Sequence, residues 1–72
     1  MCQGLPCVGA RVRINRSLLF EGVRVPRGVD GIVEEELRES RELRVRVKFE
    51  GKMRSIQLGE YDVEIVRRSI RR

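Results

Sequence analysis

The chain lacks the side chains that most enzymatic chemistry requires. It contains no histidine, so its serine hydroxyls have no access to the commonest general base for a nucleophile. No glycine-rich phosphate loop followed by Lys-Ser or Lys-Thr occurs in the sequence. We therefore expect a protein that is not an enzyme, with no catalytic residues, no cofactor and no small-molecule substrate. The serines concerned are Ser17, Ser40, Ser55 and Ser69.

Carboxylates and thiols offer little further chemistry. Successive strand residues point to opposite faces, so the run Glu34, Glu35, Glu36 suits a solvated hairpin that balances nearby arginines better than a paired-carboxylate or cation site. Cys2 and Cys7 are the only cysteines, and without histidine they cannot complete a Cys/His zinc site. We expect no metal site. A disulfide between them would close only a short loop, so two incidental thiols are the favoured interpretation.

Basic side chains are the most informative group. Sixteen Lys and Arg residues against eleven Asp and Glu give a net charge of +5, and fourteen of the sixteen are arginine. This balance favours a polyanionic partner, although arginine richness also fits a thermophile or a GC-rich genome. Residues 29–43 are net acidic, whereas residues 44–58 are net basic. The candidate phosphate contacts are Arg13, Arg44, Arg46, Lys48, Lys52, Arg54, Arg67, Arg68, Arg71 and Arg72.

Apolar residues that alternate with polar ones predict the strands that carry these cations. Residues 43–49 alternate without exception, with Leu43, Val45, Val47 and Phe49 on one face and cations on the other. Lys52 and Arg54 of the adjacent strand are expected to lie beside the cations on the polar face of residues 43–49. The alternative is a solvated outer face, paired with Glu36, Glu42 and Glu50.

Other segments complete an all-β pattern. Residues 43–49 are the third of five predicted strands. Val12 and Ile14 mark the first strand, and Ile32 and Val33 are expected to enter the core from the second. Ile56 and Leu58 are the inward-facing pair of the fourth strand, and Val63 and Ile65 belong to the fifth. The first loop, residues 15–30, is long, and Leu19, Phe20 and Val25 are expected to anchor it. Residues 59–61 predict a single helical turn. A helix over residues 33–43 is disfavoured, because it would have too few apolar residues for a core-facing stripe.

These elements predict one domain. Residues 1–7 are expected to form a flexible N-terminal arm, residues 8–66 the folded domain, and residues 67–72 a basic tail. No apolar run approaches the length of a membrane span and the N-terminus does not look like a signal peptide. We therefore expect a cytoplasmic protein that does not bind a membrane.

The strand order resembles the SH3-like fold, a small five-stranded barrel with a long first loop and a short helical turn before the last strand. The resemblance rests on residues 9–14, on Gly28, Gly31 and Val33, on residues 45–49 and on residues 62–66. The glycine-punctuated stretch 25–33 resembles the KOW-type element of ribosomal proteins and transcription elongation factors, which implies RNA or ribosome contact. The whole order also resembles the group that unites the variable chain of ferredoxin-thioredoxin reductase with a small photosystem I protein, which implies an accessory subunit of an electron-transfer complex.

Two functions follow as hypotheses. The first is a non-catalytic barrel that binds the phosphate backbone of a nucleic acid, RNA more than DNA, through the cations named above. With only Phe20, Phe49 and Tyr61 as aromatics, base stacking has weak support. The alternative is an accessory subunit of a larger protein or ribonucleoprotein complex that binds through Leu18, Leu19 and Phe20.

Overall fold

The computed structural model describes residues 5–67, and they form an all-β fold of two sheets, which confirms the predicted class. A one-turn 3-10 helix, Glu60–Asp62, precedes the last strand, one residue later than the sequence predicts. Within residues 5–67 this single turn is the only helix, and it is far too short to span a membrane. The strands are β1 (Arg11–Ile14), β2 (Leu18–Phe20), β3 (Val23–Val25), β4 (Asp30–Leu37), β5 (Glu42–Phe49), β6 (Lys52–Gly59) and β7 (Val63–Arg67).

The larger sheet has the strand order β6-β5-β4-β1-β7, and every adjacent pair is antiparallel. The segment 33–43, for which a helix was the alternative, forms the end of β4, a turn and the start of β5. Arg41 closes this turn with a positive φ of 55°. The two strands around it bury one face only, which is why their apolar residues are too sparse for a helical stripe.

Inward-facing positions of the larger sheet form most of the core. Leu43, Val45 and Val47 of β5 are fully buried, as their unbroken alternation predicts. Phe49 is only partly buried, because it lies at the end of β5 and packs against the margin of the core. The expected core position of Ile32 is wrong: it is 39% exposed, since it lies between two inward-facing residues of β4. The buried side chains also include Val12, Ile14, Val33, Ile56, Leu58 and Val63.

The long first loop is itself a β-hairpin. β2 and β3 pair with Leu18 opposite Val25 and Phe20 opposite Val23, and they form the separate two-stranded sheet. Val25 is fully buried and Phe20 packs against the core. Leu19 was expected to anchor the loop, but it is 73% exposed. Alternation along β2 explains the correction, because Leu19 must face away from its two neighbours.

The segment before β1 is packed rather than free. Leu5 is 1% exposed and belongs to the core cluster, so residues 5–7 are part of the folded domain and not of a flexible arm. The backbone N–H of Ala10 donates to the carbonyl of Cys7 at 3.0 Å. Cys7 is disulfide-bonded, which corrects the expectation of incidental thiols. Residues 1–4, the rest of the predicted arm, lie outside the described residues, as does the tail from residue 68.

Two arginines hold the 3-10 helix against neighbouring loops. Arg41 donates from Nε and Nη2 to the two carboxylate oxygens of Glu60, both at 2.7 Å. Arg16 Nε lies 2.7 Å from Asp62 Oδ1. Arg41 belongs to the β4–β5 turn and Arg16 follows β1. The two ion pairs therefore tie both of these connections to the 3-10 helix between β6 and β7.

Candidate functional site

A bulge in β4 determines where the three consecutive glutamates lie. The register against β5 shifts between Val33 and Glu35, so simple alternation fails in this segment. Glu34 and Glu35 both direct their carboxylates to the outer face of the larger sheet, the face away from the core, where they contact arginines of β5. Glu36, directly opposite Leu43, has only 11% of its side chain exposed, and Arg38 Nε lies 3.7 Å from its Oε1.

Glu34 joins three adjacent strands through a polar network. Its Oε2 lies 2.7 Å from Nη2 of Arg46 on β5, and its Oε1 accepts a hydrogen bond of 2.6 Å from the Ser55 hydroxyl on β6. Sequence reasoning missed this contact, although Glu34 follows the inward-facing Val33 and therefore faces outward, like the paired residues Arg46 and Ser55. The network lies on an exposed surface and cross-links β4, β5 and β6.

The predicted cationic face of β5 is therefore largely compensated. Arg44 Nη1 lies 2.6 Å from Glu35 Oε1, and Arg46 is held by Glu34. The carboxylate partners differ from the expected Glu36, Glu42 and Glu50; of these, Glu42 accepts a hydrogen bond from Gln57 instead. Although the side chains of Arg44 and Arg46 remain 46% and 57% exposed, a phosphate would have to displace a bound carboxylate from each.

Arg13 is compensated in the same way. Its Nε donates to Asp30 Oδ1 at 2.8 Å across the β1–β4 pair. That hydrogen bond holds the pKa of Asp30 below its ordinary value and raises the pKa of Arg13. Asp30 therefore remains ionised beside Arg13, which makes this position a poor contact for another anion.

Lys52 and Arg54 do not join the outer face. In the β5–β6 register, Arg54 lies opposite Val47 and Lys52 opposite Phe49, and directly paired residues share a face. Both cations therefore project to the inward-facing side of the sheet, at the end where β5 and β6 extend past the core. The expected surface of five neighbouring cations is thus divided between two faces.

Cations without an ion pair concentrate near one end of the molecule. Among the side chains described between residues 5 and 66, those with no carboxylate within 4.0 Å are Arg11, Arg24, Arg27, Lys48, Lys52 and Arg54. Arg24 and Arg27 belong to the β2–β3 hairpin and the segment after it, and the last three flank the β5–β6 turn. Gly31, at the start of β4, pairs with Val47, near the end of β5. The β3–β4 connection and the β5–β6 turn are consequently at the same end of the larger sheet.

A groove of about 290 Å³ separates the β2–β3 hairpin from β6. The hairpin contributes Phe20, Glu21, Val23 and Val25, and β6 contributes Met53, Arg54, Ser55 and Ile56. Glu21 and Val23 were not predicted as site residues. The tripeptide Phe-Glu-Gly could have identified this hairpin, because it occurs at residues 20–22 and again at 49–51, each time between two apolar stretches, where a glycine is typical of a tight turn.

Both Phe-Glu-Gly segments form the same kind of turn. Glu21 and Gly22 have φ values of 50° and 77°, and Glu50 and Gly51 have values of 53° and 74°. Two consecutive residues with positive φ are what a tight type I′ hairpin turn requires, and its second position favours glycine. The repeated tripeptide thus places two hairpin tips at this end of the protein.

The predicted protein-binding residues Leu18, Leu19 and Phe20 do not form one exposed surface. Leu18 and Phe20 are half-buried against the core, which leaves Leu19 as the exposed member of the predicted protein-binding set. Arg67 ends β7, and Arg68, Arg71 and Arg72 lie outside the described residues. Within residues 5–67, no group of three or more His, Cys, Asp or Glu side chains could hold a metal ion.

Comparison with known proteins finds no match to this chain among protein-family models, curated proteins or solved structures. The assignment of a function therefore depends on the surface of the molecule.

Proposed function

We propose that the chain is a non-catalytic, SH3-like binding module that contacts the phosphate backbone of a nucleic acid, in an RNA- or ribosome-associated role. The SH3-like assignment is supported by a hairpin inserted after the first strand of the sheet and by the 3-10 helix before the last strand. It is also supported by Gly31, where β4 lies so close to β5 that a side chain would clash. In this proposal β6 and β7, the outer strands of the larger sheet, curve toward one another to complete a barrel.

The observation that carries the binding proposal is the division of the cations into paired and unpaired groups. Arg13, Arg44 and Arg46 have carboxylate partners at 2.6–2.8 Å, so their charges are neutralised locally. Lys48, Lys52 and Arg54, around the β5–β6 turn, have none among the described residues. Unpaired cations release counterions from a polyanion without first losing a protein partner. We therefore assign the phosphate contacts to Lys48, Lys52 and Arg54 of this hairpin.

Two double variants that lose the same charge test this assignment. Replacing Lys52 and Arg54 by glutamine should weaken binding to a structured RNA and lower the slope of log affinity against log salt by about one to two, because two phosphate contacts are lost. Replacing Arg44 and Arg46 by glutamine removes as many charges, but from paired positions, and should change affinity much less. Fluorescence anisotropy measures both effects. The salt concentration should be varied from about 50 to about 200 mM, because phosphate contacts weaken strongly over that range.

Each possible outcome has a definite meaning. Equal losses in the two double variants would show that net charge, and not the unpaired hairpin, determines binding. Absence of binding by the wild-type protein near physiological salt, where the Debye length is about 8 Å, would contradict the nucleic-acid function itself.

A second function has one observation in its favour. Leu19 is 73% exposed on the β2–β3 hairpin, directly opposite Arg24, which suits contact with a protein surface better than contact with phosphate. In that case the chain is an accessory subunit of a larger complex. Recovery of a protein partner that survives nuclease treatment and is lost on Leu19→Ser would favour this function over the first.

A further inference from the structure

The groove between the β2–β3 hairpin and β6 has a composition that phosphate contacts do not explain. Val25 and Ile56 in its lining are 0% and 2% exposed, so they form its base. Phe20 and Val23, half-buried, line the hairpin side. Exposed Arg54 and Glu21 supply a cation and a carboxylate at the rim. The exposed surface of the groove is mainly polar, and Phe20 and Val23 are its partly exposed apolar side chains, a mixture that suits a flat ligand with apolar faces and a polar edge.

We propose that this groove receives one unpaired nucleobase, so that the nucleic acid is single-stranded where it meets the β2–β3 hairpin. This inference rests on the proposed function and names its ligand class. Sequence-specific recognition of RNA commonly uses bases that are splayed out of a loop and stacked on an aromatic side chain. Phe20 is the aromatic residue in the lining. Arg54, two residues along β6 from Lys52, is placed to hold the phosphate next to the inserted base.

Glu21 determines which base fits best. An ionised carboxylate only accepts hydrogen bonds, and it repels phosphate, so its useful partner is a base edge that carries donors. The Watson–Crick edge of guanine presents two adjacent donors, N1–H and the exocyclic amine, which match two carboxylate oxygens. Adenine and cytosine present an amine beside an acceptor, and uracil presents one N–H between two carbonyls. We therefore expect guanine to bind best and uracil worst.

The repeated Phe-Glu-Gly tripeptide provides matched controls. Phe49 and Glu50 occupy the same turn positions in the β5–β6 hairpin, and Glu50 has a φ of 53° against 50° for Glu21. Phe49, like Phe20, packs at the margin of the core, yet neither Phe49 nor Glu50 lines the groove. Equivalent substitutions in the two hairpins therefore make similar demands on folding and differ in their access to the groove.

The experiment compares an oligouridine with the same oligomer carrying one central guanine, by fluorescence anisotropy at about 150 mM salt, near physiological ionic strength. The guanine oligomer should bind more tightly to the wild-type protein. Phe20→Leu should lower its affinity about tenfold, as the usual strength of base stacking on an aromatic residue implies. Glu21→Gln should reduce the preference for guanine over uracil. Phe49→Leu and Glu50→Gln lie in the hairpin assigned to phosphate contact, so they should change the affinities for the two oligomers by the same factor and leave the preference for guanine unchanged.

Failure of this inference differs from failure of the proposed function. If both oligomers bind equally, with the expected salt dependence, and Phe20→Leu binds like Phe49→Leu, the groove is not a base site while the phosphate-binding function stands. If neither oligomer binds, the proposed function is contradicted. The slot is then tested alone with guanosine monophosphate: ring-current shifts of the Val25 and Ile56 methyl resonances support it, and unshifted methyl resonances at millimolar nucleotide overturn it.

Discussion

Gly31→Ala should be among the most damaging single-methyl changes in this domain. A Cβ atom at Gly31 would lie 2.6 Å from Val45 Cγ1, 2.7 Å from the carbonyl oxygen of Arg46 and 2.8 Å from Val47 Cγ1. All three neighbours belong to β5, which is paired on both sides, with β4 and with β6. The backbone oxygen cannot rotate away, and the two valines are fully buried. The added methyl group must therefore force β4 and β5 apart.

The expected magnitude follows from these contacts. Inserting a methyl group into a well-packed core costs about 1–3 kcal/mol, and because the obstruction includes a backbone atom of a central strand, the upper end, about 3 kcal/mol, applies. In a domain of this size each kcal/mol lowers the melting temperature by about 4–8 °C, so Gly31→Ala should lower it by about 12–24 °C.

Thermal unfolding followed by circular dichroism, with two glycine controls, measures this effect. Gly59→Ala meets only the Asp62 side chain, at 3.3 Å, which must shift by a few tenths of an ångström, so it should cost less than Gly31→Ala. Gly51→Ala has open space but a φ of +74°, so its cost of about 1–2 kcal/mol reports backbone conformation alone. If Gly31→Ala melts within a few degrees of Gly59→Ala, β4 and β5 are not packed as closely as described.

Four further substitutions test other parts of the molecule. Leu5→Ala should destabilise the domain by about 2–5 kcal/mol in urea unfolding, because a buried leucine leaves a cavity, whereas an unpacked N-terminal segment would show no effect. Val47→Asp should prevent folding, since an unpaired charge in the core costs several kcal/mol, on the order of the whole stability; a cooperative unfolding transition like that of the wild type would refute the orientation of β5. Glu60→Gln should remove part of the loss of stability in acid, because the hydrogen bond from Arg41 lowers the pKa of Glu60 in the folded protein. The stability that ionised Glu60 contributes is complete above the ordinary glutamate pKa of about 4.3 and is lost as the pH falls through the lowered folded value. Melting curves from neutral pH into strong acid measure that difference, and parallel pH profiles for wild type and variant would contradict it. Leu19→Ser should leave the melting temperature nearly unchanged, because Leu19 is exposed, and a large decrease would show that the hairpin buries it.

Strand β5 could be predicted from the sequence because its alternation is uninterrupted and one face is wholly apolar between Leu43 and Val47. The orientations of Lys52 and Arg54 also follow from the sequence once alternation is applied back from Ile56 and Leu58. Those two residues face inward, so positions 54 and 52 share their face. The expectation that Lys52 and Arg54 join Arg46 failed because adjacency of strands was considered without the face of each residue.

The positions of Glu35 and Leu5 could not be predicted in the same way. Glu35 reaches the outer face because a bulge interrupts the β4–β5 register, and a bulge is a property of two strands in contact rather than of one segment. Leu5 lies in a stretch with no period, and its burial depends on space left by elements later in the chain. Non-local packing decides both positions, so the alternation of apolar and polar residues along the sequence does not predict them.

The ion-pair map changes what the net charge of +5 implies about partners. Six arginines in the described part of the chain pair with carboxylates at 3.7 Å or less, and all of these pairs except Arg38–Glu36 join residues that are well separated in the sequence. At physiological ionic strength charges are screened over about 8 Å, so a close pair contributes little to the field that a distant polyanion experiences. The field therefore originates from the charges outside these pairs, which in the described part of the chain include Glu21 and Glu50 as well as cations. Of the cations, Arg54 lines the groove that contains Phe20 and Glu21. In the proposed function, a polyanion that contacts Lys52 and Arg54 therefore meets the surface beside Phe20 and Glu21.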